Sequence, residues 1–293
     1  MKRIKIGNKI ISEDSDPFFV AEIGINHNGS LEIAKKLIDM AAMLGADAVK
    51  FQKRTPEICV PENKKNVLRE TPWGTMTYLE YKKRIEFGKE EYDEINRYCK
   101  EKGILWSASA WDLPSFDFIE NYDVPFHKVA SAKLTYKELL ERIKATRKPV
   151  FLSTGGSTLE QVKKAVKLLE DTNPLVILHC NSGYPAKDEE LNLRVIETFK
   201  REFPNHLIGY SGHEEGITAS VVAAVLGAKV IERHITLDRA MWGTDQAASI
   251  EYSGLRRLIR DLHKLNIWLG DGIKRVYDDE KNVMSKLRDK NTL

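Results

Sequence analysis

Short runs of apolar and β-branched residues recur along the whole chain, and most are followed by segments whose apolar positions fall three and four residues apart. The runs are FFVAEIG from Phe18, AVKFQ from Ala48, ILWSAS from Ile104, FHKVAS from Phe126, PVFLST from Pro149, LVILHC from Leu175, HLIGYS from His206 and KVIERHI from Lys229. They predict eight strands. The intervening segments predict helices: SLEIAKKLIDMAAML opened by Ser30 as N-cap, EEYDEINRYCKEK ended by Gly103, and TLEQVKKAVKLLE opened by Thr158. Strand then helix, eight times over, predicts a (β/α)8 TIM barrel, whose usual length of about 250 residues suits this chain. A doubly wound open sheet uses the same alternation, but with fewer strands and a glycine-rich nucleotide turn that is absent here.

Three features frame this single predicted domain of residues 1–293. The opening MKRIKIGNKII predicts a short N-terminal β-hairpin within residues 1–16, turning at Gly7-Asn8. A long polar insertion from Thr55 to Lys89, carrying Pro56, Pro61 and Pro72, follows the second strand. In a barrel it falls on the C-terminal face, where substrate loops lie. It is expected to act as a lid that could be shortened from Arg69 to Arg84 with little loss of stability. Residues 273–293 are expected to form a C-terminal tail.

Composition narrows the function. With 42% hydrophobic residues in 293, the chain can bury a large core, and 46 Lys and Arg against 43 Asp and Glu leave only +3. That balance excludes a strongly basic nucleic-acid binder, so any anion must be held by a local arrangement. No apolar run is long enough for a signal peptide or a membrane span. Cys59, Cys99 and Cys180 are widely spaced and odd in number, which argues against a disulfide framework and a thiolate zinc site and fits a cytoplasmic setting.

Active sites of this architecture lie at the C-terminal ends of the strands. Those ends carry Glu22, Lys50 and Gln52, Ser109, Lys128 with Ser131, Ser153 with Thr154, His179 with Ser182 and Tyr184, Ser211 with His213, and Glu232 with His234. Each alone has a structural explanation: a capped carboxylate, a snorkelling lysine, a hydroxyl bonded to nearby backbone. Together they form a set that core packing does not require. Lys50, Lys128 and the serines suit a phosphate and a carboxylate. His213 and His234, on adjacent predicted strands, suit one divalent ion with open positions left for water or substrate.

These residues carry a resemblance. EIGINHNG from Glu22, VKFQ from Val49, HKVAS from His127, LSTGG from Leu152, ILHC followed by Tyr184-Pro185, YSGH from Tyr210 and IERHITLD from Ile231 resemble, in order and over nearly the whole chain, the N-acetylneuraminate (sialic acid) synthase family. The resemblance implies a homo-oligomeric, metal-dependent enzyme that condenses phosphoenolpyruvate with an open-chain N-acetylated amino sugar, usually N-acetylmannosamine. It implies Glu22 as catalytic carboxylate and His213 and His234 as ligands of Mn2+, Mg2+ or Co2+. Lys50, Ser109, Lys128, Ser131, Ser153 and Ser211 would surround phosphoenolpyruvate, and Gln52, Ser182, Tyr184 and Asp245 the acceptor or the metal's water shell.

Three departures from the family pattern bear on the acceptor. Lys133 stands where the family commonly has an acidic residue, LDRAMWGTDQAAS from Leu237 resembles a branch with a different acceptor, and the chain ends at Leu293 without room for the antifreeze-like domain of many members. A related synthase using a phosphorylated aldose is the alternative enzyme; a catalytically silent sugar-acid or phosphate-binding protein is the alternative outside enzymes.

Overall fold

The computed structural model describes residues 2–288. The eight predicted strands are β1 (Phe18–Gly24), β2 (Ala48–Lys53), β3 (Leu105–Ala110), β4 (His127–Val129), β5 (Val150–Ser153), β6 (Leu175–Cys180), β7 (Leu207–Gly212) and β8 (Val230–His234). All pair in parallel, and β8 returns to β1 in a register from Val230↔Phe18 to His234↔Glu22, so the sheet is a closed barrel. Closure excludes the open doubly wound sheet. The predicted helix signals hold: Ser30 accepts from the Ile33 amide at the start of Leu31–Leu44, Thr158 from Gln161 at the start of Leu159–Leu169, and Gly103, at φ 67°, ends Lys89–Lys102.

Successive side chains of a strand face opposite sides, so each barrel strand divides its residues between lumen and helices. Phe19, Ala21, Val49, Trp106, Leu152, Ile177, Ile208 and Ile231 pack outward into the annulus of helices. Phe18, Val20, Ala48, Phe151, Val176, Leu178, Leu207 and Val230, with Phe126, form a separate apolar layer inside the barrel. The N-terminal hairpin, Arg3–Ile6 paired antiparallel with Lys9–Ser12, turns through Gly7 at φ 58°. Its Ile4, Ile6 and Ile11 join that inner layer and plug the N-terminal end of the barrel.

The insertion is packed against the loops of the barrel. Within it, Leu68–Arg69 pairs antiparallel with Met76–Thr77, and the helix Tyr78–Ile85 starts in a capping box between Thr77 and Glu80. Tyr81 and Ile85 bury against Ile25 of the loop after β1, and the Tyr81 ring meets Trp242 of the loop after β8 edge-on at 4.9 Å. Lys53, at the end of β2, donates to Glu86 Oε1 and to the Phe87 carbonyl, both at 2.8 Å. A segment with its own apolar core is part of the packed structure.

Part of the predicted tail is helical: Asp278–Leu287 forms a helix with no buried residue, and 289–293 lie outside the described residues. No helix among the described residues is long and apolar enough to cross a membrane.

Two stability measurements test this account. Ile6 is fully buried in the plug, so Ile6→Ala should lower the free energy of unfolding in urea by about 2–5 kcal/mol. Deleting residues 69–84 should lower the thermal midpoint; an unchanged midpoint would restore the dispensable lid.

Candidate active site

Above the inner apolar layer the same alternation brings polar residues inward. Glu22 lies two residues beyond Val20, Lys50 two beyond Ala48, Ser153 two beyond Phe151, and Glu232 and His234 two and four beyond Val230. The four charges form a chain across the lumen. Glu22 Oε2 pairs with Lys50 Nζ, which also lies 3.8 Å from Glu232 Oε1, and Lys128 Nζ lies 3.2 Å from the same oxygen. Each is at least 95% buried, so the alternation of sign is what makes their burial tolerable. Gln52 Nε2 donates to Glu22 Oε1 at 3.0 Å, Lys50 to Ser109 Oγ at 3.0 Å and Ser211 Oγ to Glu232 Oε1 at 3.2 Å.

The two carboxylates are not equivalent. Burial raises the Glu22 pKa above its ordinary value, and the neighbouring Lys50 only partly offsets it. Burial also pushes Glu232 upward, but the Lys128 and Lys50 ammonium groups together outweigh it and hold its pKa low. Glu232 is thus the standing anion, and Glu22 the group able to take and return a proton.

A cavity of about 160 Å³ opens above these charges. Glu22, Lys50, Gln52, Ser109, Lys128, Ser131, Ser153, Ser182, Tyr184, Ser211, His213 and His234 line it, with Glu232, Cys180 and Trp111. Ser131 Oγ accepts from the Gly155 amide at 3.0 Å, and a Cβ on Gly155 would collide with Ser182 and Ser131, so that glycine lets three loops converge. Ser153 Oγ, Glu232 Oε2, His234 Nδ1 and Trp111 Nε1 are buried and find no hydrogen-bond partner among the described residues. Groups left in this state are expensive unless a ligand completes them.

At the mouth, the rings of His213 and His234 stand 5.4 Å apart. A carbonyl can only accept, so the 2.7 Å contact with Asn181 O puts the His213 proton on Nδ1. Its Nε2 lone pair then faces the lumen, where the Tyr184 hydroxyl lies 2.8 Å away. Burial lowers the His234 pKa to about 3, against the pull of Asp245, so its ring is neutral; its unpartnered Nδ1 lies 3.9 Å from Asp245 Oδ2. At His213 burial lowers the pKa, but the Cys180 thiol and the Asn181 carbonyl together outweigh it and raise it, so a cation binding there would displace a proton. Two imidazoles and a nearby carboxylate fit a divalent cation. No three His, Cys, Asp or Glu side chains among the described residues surround one point, so such an ion would keep positions for water or substrate.

A sequence neighbour of each of these histidines secures it from behind. Glu214, next to His213, and Arg233, next to His234, form a fully buried ion pair at 2.6 Å on the outer side of the barrel. Arg233 also donates to Ser220 Oγ at 2.8 Å and the Gly216 carbonyl at 3.0 Å, while Tyr210 donates to Glu214 Oε2 at 2.7 Å. The pair ties the loop after β7 to β8.

Every residue to which the resemblance gives a role lines this cavity except Asp245, which lies beside His234 just outside the lining. Among the strand-end residues, His179 points outward: its Nε2 bonds the Leu191 carbonyl at 2.7 Å and its ring packs on Phe199 and Tyr210. Thr154 likewise bonds the Leu178 carbonyl. Glu232, given no role from the sequence, is central to the charge chain, and Cys180 and Trp111 also reach the cavity. Counting in twos along β8 from Val230 would have found Glu232. Lys133 follows Ser131 at the rim, its Nζ 5.5 Å from the centre of the Trp111 ring.

Comparison with known proteins identifies the family. Residues 37–274 match the model of the NeuB family. The chain is 40% identical to human N-acetylneuraminate-9-phosphate synthase over 275 residues, covering 92% of this chain and 76% of that protein. It is 33% identical to N,N'-diacetyllegionaminic acid synthase of Campylobacter jejuni, covering 92% and 82%. The crystal structure of the N-acetylneuraminic acid synthetase of Leptospira borgpetersenii superposes with a TM-score of 0.85 at 31% identity, covering 97% and 96%. By sequence and by fold this chain belongs to the NeuB family and is an enzyme of that family.

Proposed function

We propose that this enzyme condenses phosphoenolpyruvate with an open-chain N-acetylated hexosamine of the N-acetylmannosamine type, and with water, to give a nonulosonic acid and phosphate. The observation that carries the reading is the buried chain Glu22–Lys50–Glu232–Lys128 lying beneath the paired His213 and His234 in one lumen. Lys50 and Lys128, with the hydroxyls of Ser109, Ser131, Ser153 and Ser211, hold the carboxylate and phosphate of phosphoenolpyruvate deep in the lumen. Gln52, Ser182, Tyr184 and Asp245 orient the acceptor above it. The family resemblance of the motifs supports the same assignment.

Held in line, C3 of phosphoenolpyruvate attacks the aldehyde carbon, forming the new C–C bond while the aldehyde oxygen takes the proton of Glu22. Water adds to the electron-poor C2 and loses its proton to Glu22, whose raised pKa suits a group that takes a proton and returns it. The resulting tetrahedral carbon collapses to the ketone, breaking its bond to the phosphate oxygen, and its hydroxyl proton leaves with the phosphate. A divalent cation on His213 and His234, Mn2+ or Mg2+ foremost and Co2+ next, would polarise the aldehyde oxygen as a Lewis acid.

Phosphate release and product mass, measured with phosphoenolpyruvate and a panel of aldoses, test the reaction itself. Glu22→Gln keeps the shape and loses the basicity, so kcat should fall by roughly 10²–10⁴-fold with folding intact; near-normal kcat would make Glu22 structural. Lys128→Ala should weaken phosphoenolpyruvate binding by roughly 1.5–3 kcal/mol, and unchanged affinity would remove Lys128 from that pocket. Excess EDTA should abolish turnover. Full activity in EDTA, in protein shown to be free of metal, would refute the cation.

A further inference from the structure

Trp106, Ala108 and Ala110 of β3 face the helices, while Leu105 packs on the inner apolar layer. Counting inward in twos from Leu105 gives Ser107, Ser109 and, one residue past the end of the strand, Trp111. The indole therefore stands one layer above Ser109, which pairs in register with Lys128 of β4. Its backbone is still held by the sheet, since the Trp111 amide donates to the Lys53 carbonyl at 3.0 Å. On β2 the same count from Ala48 through Lys50 and Gln52 reaches Arg54, whose guanidinium lies over the Trp111 ring, 3.9 Å from its centre. Lys133, from the loop after β4, stands over the ring at 5.5 Å.

An indole nitrogen carries a proton and no free lone pair, so it can only donate. The outward-facing Trp106 uses that donor, bonding Asn96 Oδ1 at 3.0 Å. Trp111 does not: it lines the cavity, and its buried Nε1 finds no acceptor among the described residues. A buried donor without a partner is a cost that the folded state carries until a ligand removes it. Two cations over the ring draw its π density toward themselves, which polarises the N–H bond further and makes the surroundings positive. The matching partner is an oxygen with negative charge.

The position in the ring of strands says which ligand brings it. His213 follows β7 and His234 ends β8, and β3 lies four places from β7 and three from β8 in the closed sheet of eight, on the far wall. Trp111 shares its own wall with Ser109, Lys128 and Ser131, the groups that hold phosphoenolpyruvate on the reading above. We propose that the Trp111 indole donates a hydrogen bond to an anionic oxygen of phosphoenolpyruvate, with Arg54 and Lys133 strengthening the donor through the ring. This rests on the synthase reading, which gives Trp111 no role. Phenylalanine fills the same space and keeps a ring for the two cations, so the donor can be removed without the platform.

The chain has five tryptophans, and their indole N–H groups give separate signals in a proton–nitrogen correlation spectrum. Trp111→Phe, or Trp111→Tyr if the first does not fold, identifies the Trp111 signal by its loss. Phosphoenolpyruvate added alone to the native enzyme, with no acceptor present, should move that signal downfield. In steady-state phosphate release the variant should show a phosphoenolpyruvate KM raised roughly tenfold or more, with kcat and the acceptor KM within about twofold of native. General damage to the barrel would instead lower kcat and weaken both substrates together. An unmoved Trp111 signal, or an unchanged phosphoenolpyruvate KM in the variant, overturns the contact. A rise confined to the acceptor KM also overturns it, because the donor then serves the sugar. A shifted signal in a native enzyme that releases no phosphate with any aldose upholds the contact and overturns the synthase reading instead.

Discussion

Closing eight parallel strands into a barrel sends every second side chain into one shared interior, and everything chemical in this molecule follows from what occupies the upper half of that interior. Four ionised groups there, taken singly, would each cost several kcal/mol to bury. Arranged as carboxylate, ammonium, carboxylate, ammonium, they neutralise one another through contacts supplied by four different strands. The apolar floor of Phe18, Val20, Phe126, Phe151 and their neighbours keeps water from reaching the chain from below. Fold and site are therefore coupled: a register shift of one residue in β1, β2 or β8 would carry its charge out among the helices and strand its partners.

The outer side of the barrel repeats the logic. The neighbours of the two mouth histidines in sequence, Glu214 and Arg233, point away from the lumen and meet in a second buried ion pair with its own hydrogen-bonded company. One strand thus contributes Glu232 and His234 inward and Arg233 outward, so consecutive residues build two separate electrostatic systems back to back. The placement of the imidazoles is fixed by an interaction that never faces the substrate.

The barrel was legible because each strand announces itself as an apolar run and each helix through its cap, signals that are local to a few residues. Glu22, Lys50, Lys128, His213 and His234 were legible for a related reason: polar residues ending apolar runs stand out. Which of two adjacent polar residues faces inward depends on register, and there the strand-end reading failed. It offered His179, which lies outside the lumen, and left Glu232 without a role although it lies between both lysines. The docked state of the insertion was hidden for another reason, since Tyr81 packs on Trp242, far away in sequence, and no local pattern records that contact. The same distance concealed Trp111 as the platform under Arg54 and Lys133.

The isoleucine plug at the base of the barrel turns the lumen into a blind shaft with a single opening. Traffic through one opening has an order imposed on it. On the proposed chemistry the ligand seated deepest enters first, and the sugar that follows seals it in, so an acceptor arriving early blocks the way rather than waiting for its partner. The hairpin, at the opposite end of the barrel from the charges, would in this sense set the kinetic sequence of the enzyme.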